Sequence, residues 1–451
     1  MNDTHQKLHH MMIISLALVL AGCSSLKTST LQTTSAPSSP TPTATRRPIP
    51  TPTQTPLVIR GTISIWHAWG ENELPALVQI IHDFSQNYPE VYFDVLSMPL
   101  SDLRRRFEIE VPEGNGPILL LGPAEWGPEL YDAGVIANMS KMANQSILDT
   151  LNLPALRAGE FHGMLISLPY SISGVVLYRN TDILTLQADT FDELITFAES
   201  ATQGEVVGAM LERSFLYSGA NLISIGGELM DGSGNPLFNN TTGVSWVELL
   251  RSYEMAGPTS FLSDEDLEAF KAGKVGWIID GTWNLAAIAE TLGADKLAVD
   301  PWPAYGQGHL SGFVMAENIY VSARAPEDQL LATQKFIDYL LSPEAQARLA
   351  EVGRIPAAFG VPTPNIVNGP SINQIMTALA GGTAYPILPV MGIYTTQMDI
   401  ALRSVFDGGV PPLQALQSAD FAIMAELSAL PTPIAPPTST LTAPLSLTPT
   451  P

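Results

Sequence analysis

One cysteine in 451 residues, Cys23, leaves the chain no partner for an internal disulfide. Whatever it folds into must be held by buried apolar surface. Residues Met1 to His10 are polar with Lys7 as a positive charge, Met11 to Leu20 are apolar, and Leu20-Ala21-Gly22-Cys23 closes the run. An apolar stretch of about ten residues suits the core of a cleaved signal peptide and is too short to span a bilayer. No later run approaches the ~18 apolar residues of a membrane helix. The remaining body of roughly 370 residues is more than one core usually supports, so two domains are expected. A net charge of −23 argues against nucleic acid as a partner and against electrostatic docking on anionic lipid.

Two flanks differ in composition from the body. Residues 23–57 are rich in Ser, Thr and Pro (SAPSSPTPTATRRPIPTPTQTP), and residues 429–451 repeat the theme (PTPIAPPTSTLTAPLSLTPTP). Neither holds enough large apolar residues to form a core, so a disordered linker and tail are predicted. As polyproline II at ~3.1 Å per residue, the linker would span up to roughly 90 Å, the reach of a stalk.

Between the flanks, strand and helix patterns alternate. Ile63 and Ile65 alternate in Gly61–Trp66, and Leu74, Leu77, Val78, Ile81 and Phe84 follow at helical spacing up to Asn87-Tyr88-Pro89. Val91–Val95 reads as a second strand and Pro117–Leu121 as a buried one. Thr190-Phe-Asp-Glu193 is a capping box that opens a helix. Gln329–Leu341 is amphipathic, and Ser342-Pro343 starts the next helix with an N-cap and a first-turn proline. This alternation predicts an α/β protein with mostly parallel, doubly wound sheets.

Leu20-Ala-Gly-Cys23 resembles the lipobox of bacterial lipoproteins. The resemblance implies cleavage before Cys23, acylation of its thiol, and a protein held outside the cytoplasm on the membrane. Two acyl chains suffice for that anchoring where one does not.

The body resembles the extracellular solute-binding proteins of sugar ABC importers, the class of the maltose-binding protein. Five segments carry the likeness, in order: Ile63-Ser-Ile-Trp-His-Ala-Trp69; Leu165–Tyr170 with Gly174–Asp182; Phe270–Trp283 (FKAGKVGWIIDGTW); Phe336–Gln346 (FIDYLLSPEAQ); and Gly353-Arg-Ile-Pro356. It implies a two-lobed periplasmic-binding-protein-like fold with crossing hinge strands. Lobe one would comprise 58–172 and 306–362, and lobe two 173–305 and 363–428. It further implies a carbohydrate ligand, ABC permease subunits as partners, no cofactor, no catalysis and a monomer. Where relatives often carry Gly-Pro-Asp in the third strand, this chain has Gly116-Pro117-Ile118, so an acidic cleft residue would have to be Glu125 or Glu212.

Sugars present apolar ring faces and a rim of hydroxyls, so their sites combine aromatic platforms with a few planar polar groups. Trp66, His67 and Trp69 end the first strand, where doubly wound sheets place ligands. Glu125 and Trp126 follow the Pro117–Leu121 strand in the same way. Trp283 follows the Ile278-Ile279 strand and matches the family's cleft tryptophan. Tyr170 lies at the first crossover, Glu212 and Tyr217 in the loop that reaches ligand in relatives, and Tyr394 near a C-terminal cleft aromatic. Trp246 and Trp277 read as core, and the scattered His82, His162 and His309 predict no metal site. Three rival readings remain open on sequence. A glycosidase would need a carboxylate pair, yet no G-x-S-x-G, H-E-x-x-H or P-loop occurs. A non-sugar solute such as a polyamine or glycerol phosphoester would use acids or Arg213 and Arg354. A sensory binding protein would share every feature of an importer subunit.

Overall fold

The structure, a computed structural model, describes residues 58–361 and 372–430. The lipobox with Cys23, the linker, the lobe boundary at 362/363 and residues 431–451 lie outside the described residues. Eleven strands form one sheet: β1 (Gly61–His67), β2 (Val91–Ser97), β3 (Leu119–Pro123), β4 (Leu168–Asn180), β5 (Val207–Glu212), β6 (Thr259–Ser260), β7 (Val275–Gly281), β8 (Leu297–Asp300), β9 (Phe313–Val321), β10 (Ile355–Pro356) and β11 (Thr383–Ala384). The order is β2-β1-β3-β9-β4-β7-β5-β6, with β8 and β10 joined to β4 and β11 to β9.

The prediction of mostly parallel sheets holds only for the wings. β1 pairs parallel with β2 and β3, and β5 pairs parallel with β6 and β7. The two long central strands are antiparallel to their main neighbours: β9 to β3 and β4, and β4 to β7 and β8. Central strands that run against the wings are the crossing strands of a two-lobed protein. Their register brings the wings head-on. β3 ends at Pro123, which faces Glu317, which in turn faces Ser171 of β4; β7 runs the other way and ends at Gly281, facing Val175. The carboxyl ends of both wings therefore meet over residues 171–175 of β4, about 13 Å of strand.

Local sequence accounts for the elements around this junction. The helix Leu74–Asn87 buries Leu77, Ile80 and Phe84 and stops before Pro89, because a residue preceding proline disfavours helical backbone. Thr190 and Glu193 form the predicted reciprocal capping box of the helix Phe191–Ala201. Ser342 caps the helix Pro343–Glu351. Trp246 and Trp277 are fully buried, as their spacing predicts. One apolar cluster runs from Ile63 and Leu119 through Ile172 and Tyr178 of β4 to Val275 and Ile278 of β7, so the wings share a core. A second cluster, with Val175, Trp246, Trp277 and Tyr394, fills the other face of the β4–β7 wing. Among the described residues no helix is long and apolar enough to cross a membrane.

Candidate functional site

Two groups of polar and aromatic side chains flank residues 171–175. On the β1–β3 side, His67 ends β1 with no exposed surface. Its Nδ1 accepts the Trp69 backbone N–H at 3.0 Å, which leaves the proton on Nε2, a buried atom with no partner among the described residues. Burial and the neighbouring Arg354 guanidinium hold its pKa down, so the ring is neutral. Trp69 Nε1 donates to Tyr170 Oη at 2.9 Å, and Tyr170 donates to Glu317 Oε2 at 3.5 Å. Arg354 lies over the Trp69 ring at 4.4 Å from its centroid and pairs with Glu73, Nε to Oε1 at 3.0 Å.

Glu317 is the residue that sequence reasoning missed. It sits in the middle of β9, at a register shift between Glu317 and Asn318, and a bulge of this kind re-aims a side chain. Burial raises its carboxyl pKa to about 7, against the pull of Arg354 and with a push from Glu125. Burial also raises Glu125. The hint in the sequence was one acid, beside Asn318, inside a strand whose other residues are apolar or aromatic, FVMAENIYV.

On the β5–β7 side, Gly281 closes β7 and Trp283 follows in a single 3-10 turn. Trp283 is 46% exposed, unlike Trp66 and Trp69 at 6% and 5%. The indole lies directly over Gly281, where an added methyl would collide with it, so the glycine makes the seat for the ring. Gly122 at the end of β3 does the same for Trp126, which is half-buried. Tyr217 packs beside Trp283, ring centroids 6.4 Å apart. Glu212 ends β5, and its Oε1 accepts the Ser214 and Leu262 amides at 2.7 and 3.2 Å. Asp280 accepts the Gly281 amide at 2.6 Å and the Asn284 side chain at 3.1 Å. Burial raises its carboxyl pKa, and burial reinforced by Glu212 lifts Asp266 to about 7.

The structure thus gathers His67, Trp69, Glu125 and Tyr170 on one side and Glu212, Tyr217 and Trp283 on the other. It sets two predicted residues, Tyr394 and Trp66, in other surroundings and covers a third, Trp69. Tyr394 is fully buried in the second core cluster, packs on Phe238 and donates to Gly234 O at 3.0 Å, so it is not placed to touch a ligand. Trp66 is buried in a third cluster under Arg106, 5.0 Å from its ring centroid. Trp69 keeps its place in the group, but its ring is covered by Arg354 and cannot serve as a free stacking platform. Among the described residues no group of three or more His, Cys, Asp or Glu side chains could hold a metal ion.

Two wings that present aromatics and carboxyls to each other over crossing strands define a two-lobed binding protein. Residues 79–373 match the family of bacterial extracellular solute-binding proteins, and the chain belongs to it. It is 23% identical over 353 residues to a galactooligosaccharide-binding protein of Bacillus subtilis, covering 73% of this chain and 82% of that one. It is 23% identical over 357 residues to a maltotriose-binding protein of Pyrococcus abyssi, covering 74% of each. Among solved structures, a cyclo/maltodextrin-binding protein complexed with maltotetraose superposes with a TM-score of 0.71 at 22% identity, over 82% of this chain and 98% of that one. An extracellular solute-binding protein of Staphylococcus aureus in complex with maltose gives 0.72 at 19% identity over the same shares. These likenesses establish the fold.

Proposed function

We propose that the protein is the substrate-binding subunit of an ABC importer. It captures a mono- or oligosaccharide between a lobe of residues 58–172 and 306–362 and a lobe of residues 173–305 and 363–428, and delivers it to the permease. Cys23, once acylated, would tether the protein to the membrane outside the cytoplasm. Binding proceeds by closure of the lobes on the hinge strands, with no covalent step. The observation that carries the reading is Trp283, a large aromatic left half-exposed on its glycine at the junction of the wings. A ring face beside several carboxyls is what a sugar needs, apolar stacking on one side and acceptors for hydroxyls on the other. The sugar-binding relatives support the same ligand class. The test is thermal unfolding of the purified protein against mono-, di- and oligosaccharides. A sugar at about 1,000 times its Kd should stabilise it by ~4 kcal/mol, a shift of several degrees. Silence across every sugar tried would overturn the reading.

A further inference from the structure

We propose that Tyr385, at the end of β11, is a ligand contact that reads chain length: with Trp283 on the far side of the hinge strands, it makes the cleft prefer an oligosaccharide to a single sugar ring. The proposal rests on the carbohydrate reading above and adds a residue outside the two groups already described.

The floor between the wings can be located strand by strand. Every residue of β4 and β9 is buried except Ser173, Met315 and Glu317, which are partly exposed. Ser173 faces Met315, and Ser171 faces Glu317 in the same unshifted register. Strand side chains alternate, so all three partly exposed residues lie on one face of the sheet. The opposite face is closed, because Ile172, Val314 and Ala316 belong to the core cluster that runs through both wings. A ligand that lies across the hinge strands therefore lies on the face of Ser173 and Met315.

Tyr385 stands at one side of that floor. β11 runs parallel to β9, with Thr383 beside Phe313 and Ala384 beside Val314. The Tyr385 amide continues the pairing and donates to Val314 O at 2.8 Å, so its side chain is level with Met315 on the open face. The ring packs edge-on against Phe313, centroids 5.2 Å apart at 87°, and stays half-buried. Burial raises the pKa of its phenol, a hydrogen bond with the Thr395 side chain opposes that shift, and the nearby Glu125 carboxylate adds to it. Thr395 thus holds the hydroxyl, and the ring face is what remains for a ligand.

Trp283 stands at the other side. Gly281 faces Val175, two residues along β4 from Ser173 and so on the same face. The indole covers Gly281 where a side chain would be. In the order β11-β9-β4-β7, the two rings flank the Ser173–Met315 pair. Their strands are three interstrand spacings apart, about 14 Å. Each ring offers a face for the apolar side of one pyranose, and a single pyranose stacked on one does not reach the other. A ligand that uses both carries at least two rings, with its middle over Met315 and Ser173.

Calorimetry would compare glucose with a glucose trisaccharide and galactose with a galactose trisaccharide. In one of the two series the protein should bind the trisaccharide about tenfold or more tightly than the single sugar, the scale of one added aromatic contact. Tyr385→Ala should abolish most of that preference by weakening the trisaccharide and leaving the single sugar where it was. Tyr385→Phe keeps the ring and should keep the preference. A merely structural role for Tyr385 would weaken both sugars alike in the alanine variant, and that result would overturn the assignment. A second measurement needs no variant: saturating trisaccharide should shield Tyr385 of the parent protein from hydroxyl-radical oxidation, read by mass spectrometry. Single sugar and trisaccharide bound alike by the parent, or Tyr385 oxidised equally with and without trisaccharide, would overturn the assignment and leave the carbohydrate reading intact. Binding of none of the four sugars would overturn both.

Discussion

At the scale of single residues, the surface left exposed decides what each aromatic does. Trp283 stacks on little but Tyr217, so its truncation costs the fold little and the ligand much. Trp283→Ala should weaken sugar binding by about 2 kcal/mol or more, the range of a lost aromatic anchor, with little change in melting temperature. Unchanged affinity by calorimetry would remove Trp283 from the site. Glu317 supports a pH prediction. Its carboxyl titrates at about 7 in the native protein, above its ordinary 4.5, so the native state favours the protonated acid. That contribution to stability is complete below the unfolded value and is lost as pH rises to about 7. Glu317→Gln, which stays neutral, should gain stability relative to the parent by on the order of 1–3 kcal/mol between pH ~5 and ~8. Parallel pH–stability curves for the two would contradict it. Trp283 was singled out in the sequence because it follows the Ile278-Ile279 strand and matches the family's cleft tryptophan; that Gly281 makes its seat was seen only in the fold. Trp69 was misread as a free platform because the guanidinium that covers it comes from the far end of the chain, and no local spacing encodes that contact.

At the scale of elements, the helix Pro343–Glu351 shows how one side chain fixes a hinge strand. Its capping signals, Ser342 and Pro343, were plain in the sequence. What Gln346 does was not, since its partners lie on other segments. The side chain is fully buried; Nε2 donates to the Tyr170 and Leu340 carbonyls at 3.1 and 2.9 Å, and Oε1 accepts the Ala357 amide at 2.9 Å. It thereby ties β4 to the segment after the helix, at the residue whose hydroxyl meets Trp69 and Glu317. Gln346→Leu keeps the bulk and abandons four buried backbone groups, the Ala358 amide at 3.4 Å being the fourth. A loss of about 2–4 kcal/mol is expected in urea unfolding, since each unpaired group costs about 1–3 kcal/mol with partial relaxation. A loss under ~0.5 kcal/mol would mean that the strand is held by pairing alone. The antiparallel centre of the sheet was equally hidden. Apolar runs reveal burial on both faces, not strand direction, and direction here is set by which distant segments pair.

At the scale of the molecule, the question is whether two lobes make two folding units. Composition and length pointed to two domains, and the wings do form around separate parallel strands. Yet β9 joins one wing to β4 and β4 joins β9 to the other, and the largest core cluster runs unbroken from Ile63 to Ile278. Melting one wing would strip partners from strands that the other wing needs. A calorimetric scan should therefore show one transition, with a van't Hoff enthalpy close to the calorimetric one. A sugar bound as proposed would touch both wings, so at saturation it should move that transition as a whole, by the ~4 kcal/mol expected at 1,000 times Kd. Two resolved transitions, with only one displaced by ligand, would show that the hinge strands join independent domains. The same construction reconciles rigidity with closure. A continuous core preserves each wing, while the few residues between the wing ends, 171–175 of β4, are where rotation can be absorbed. The aromatic and acidic side chains stand on either side of that short stretch, so a small rotation there would bring the two halves of the site together around the ligand.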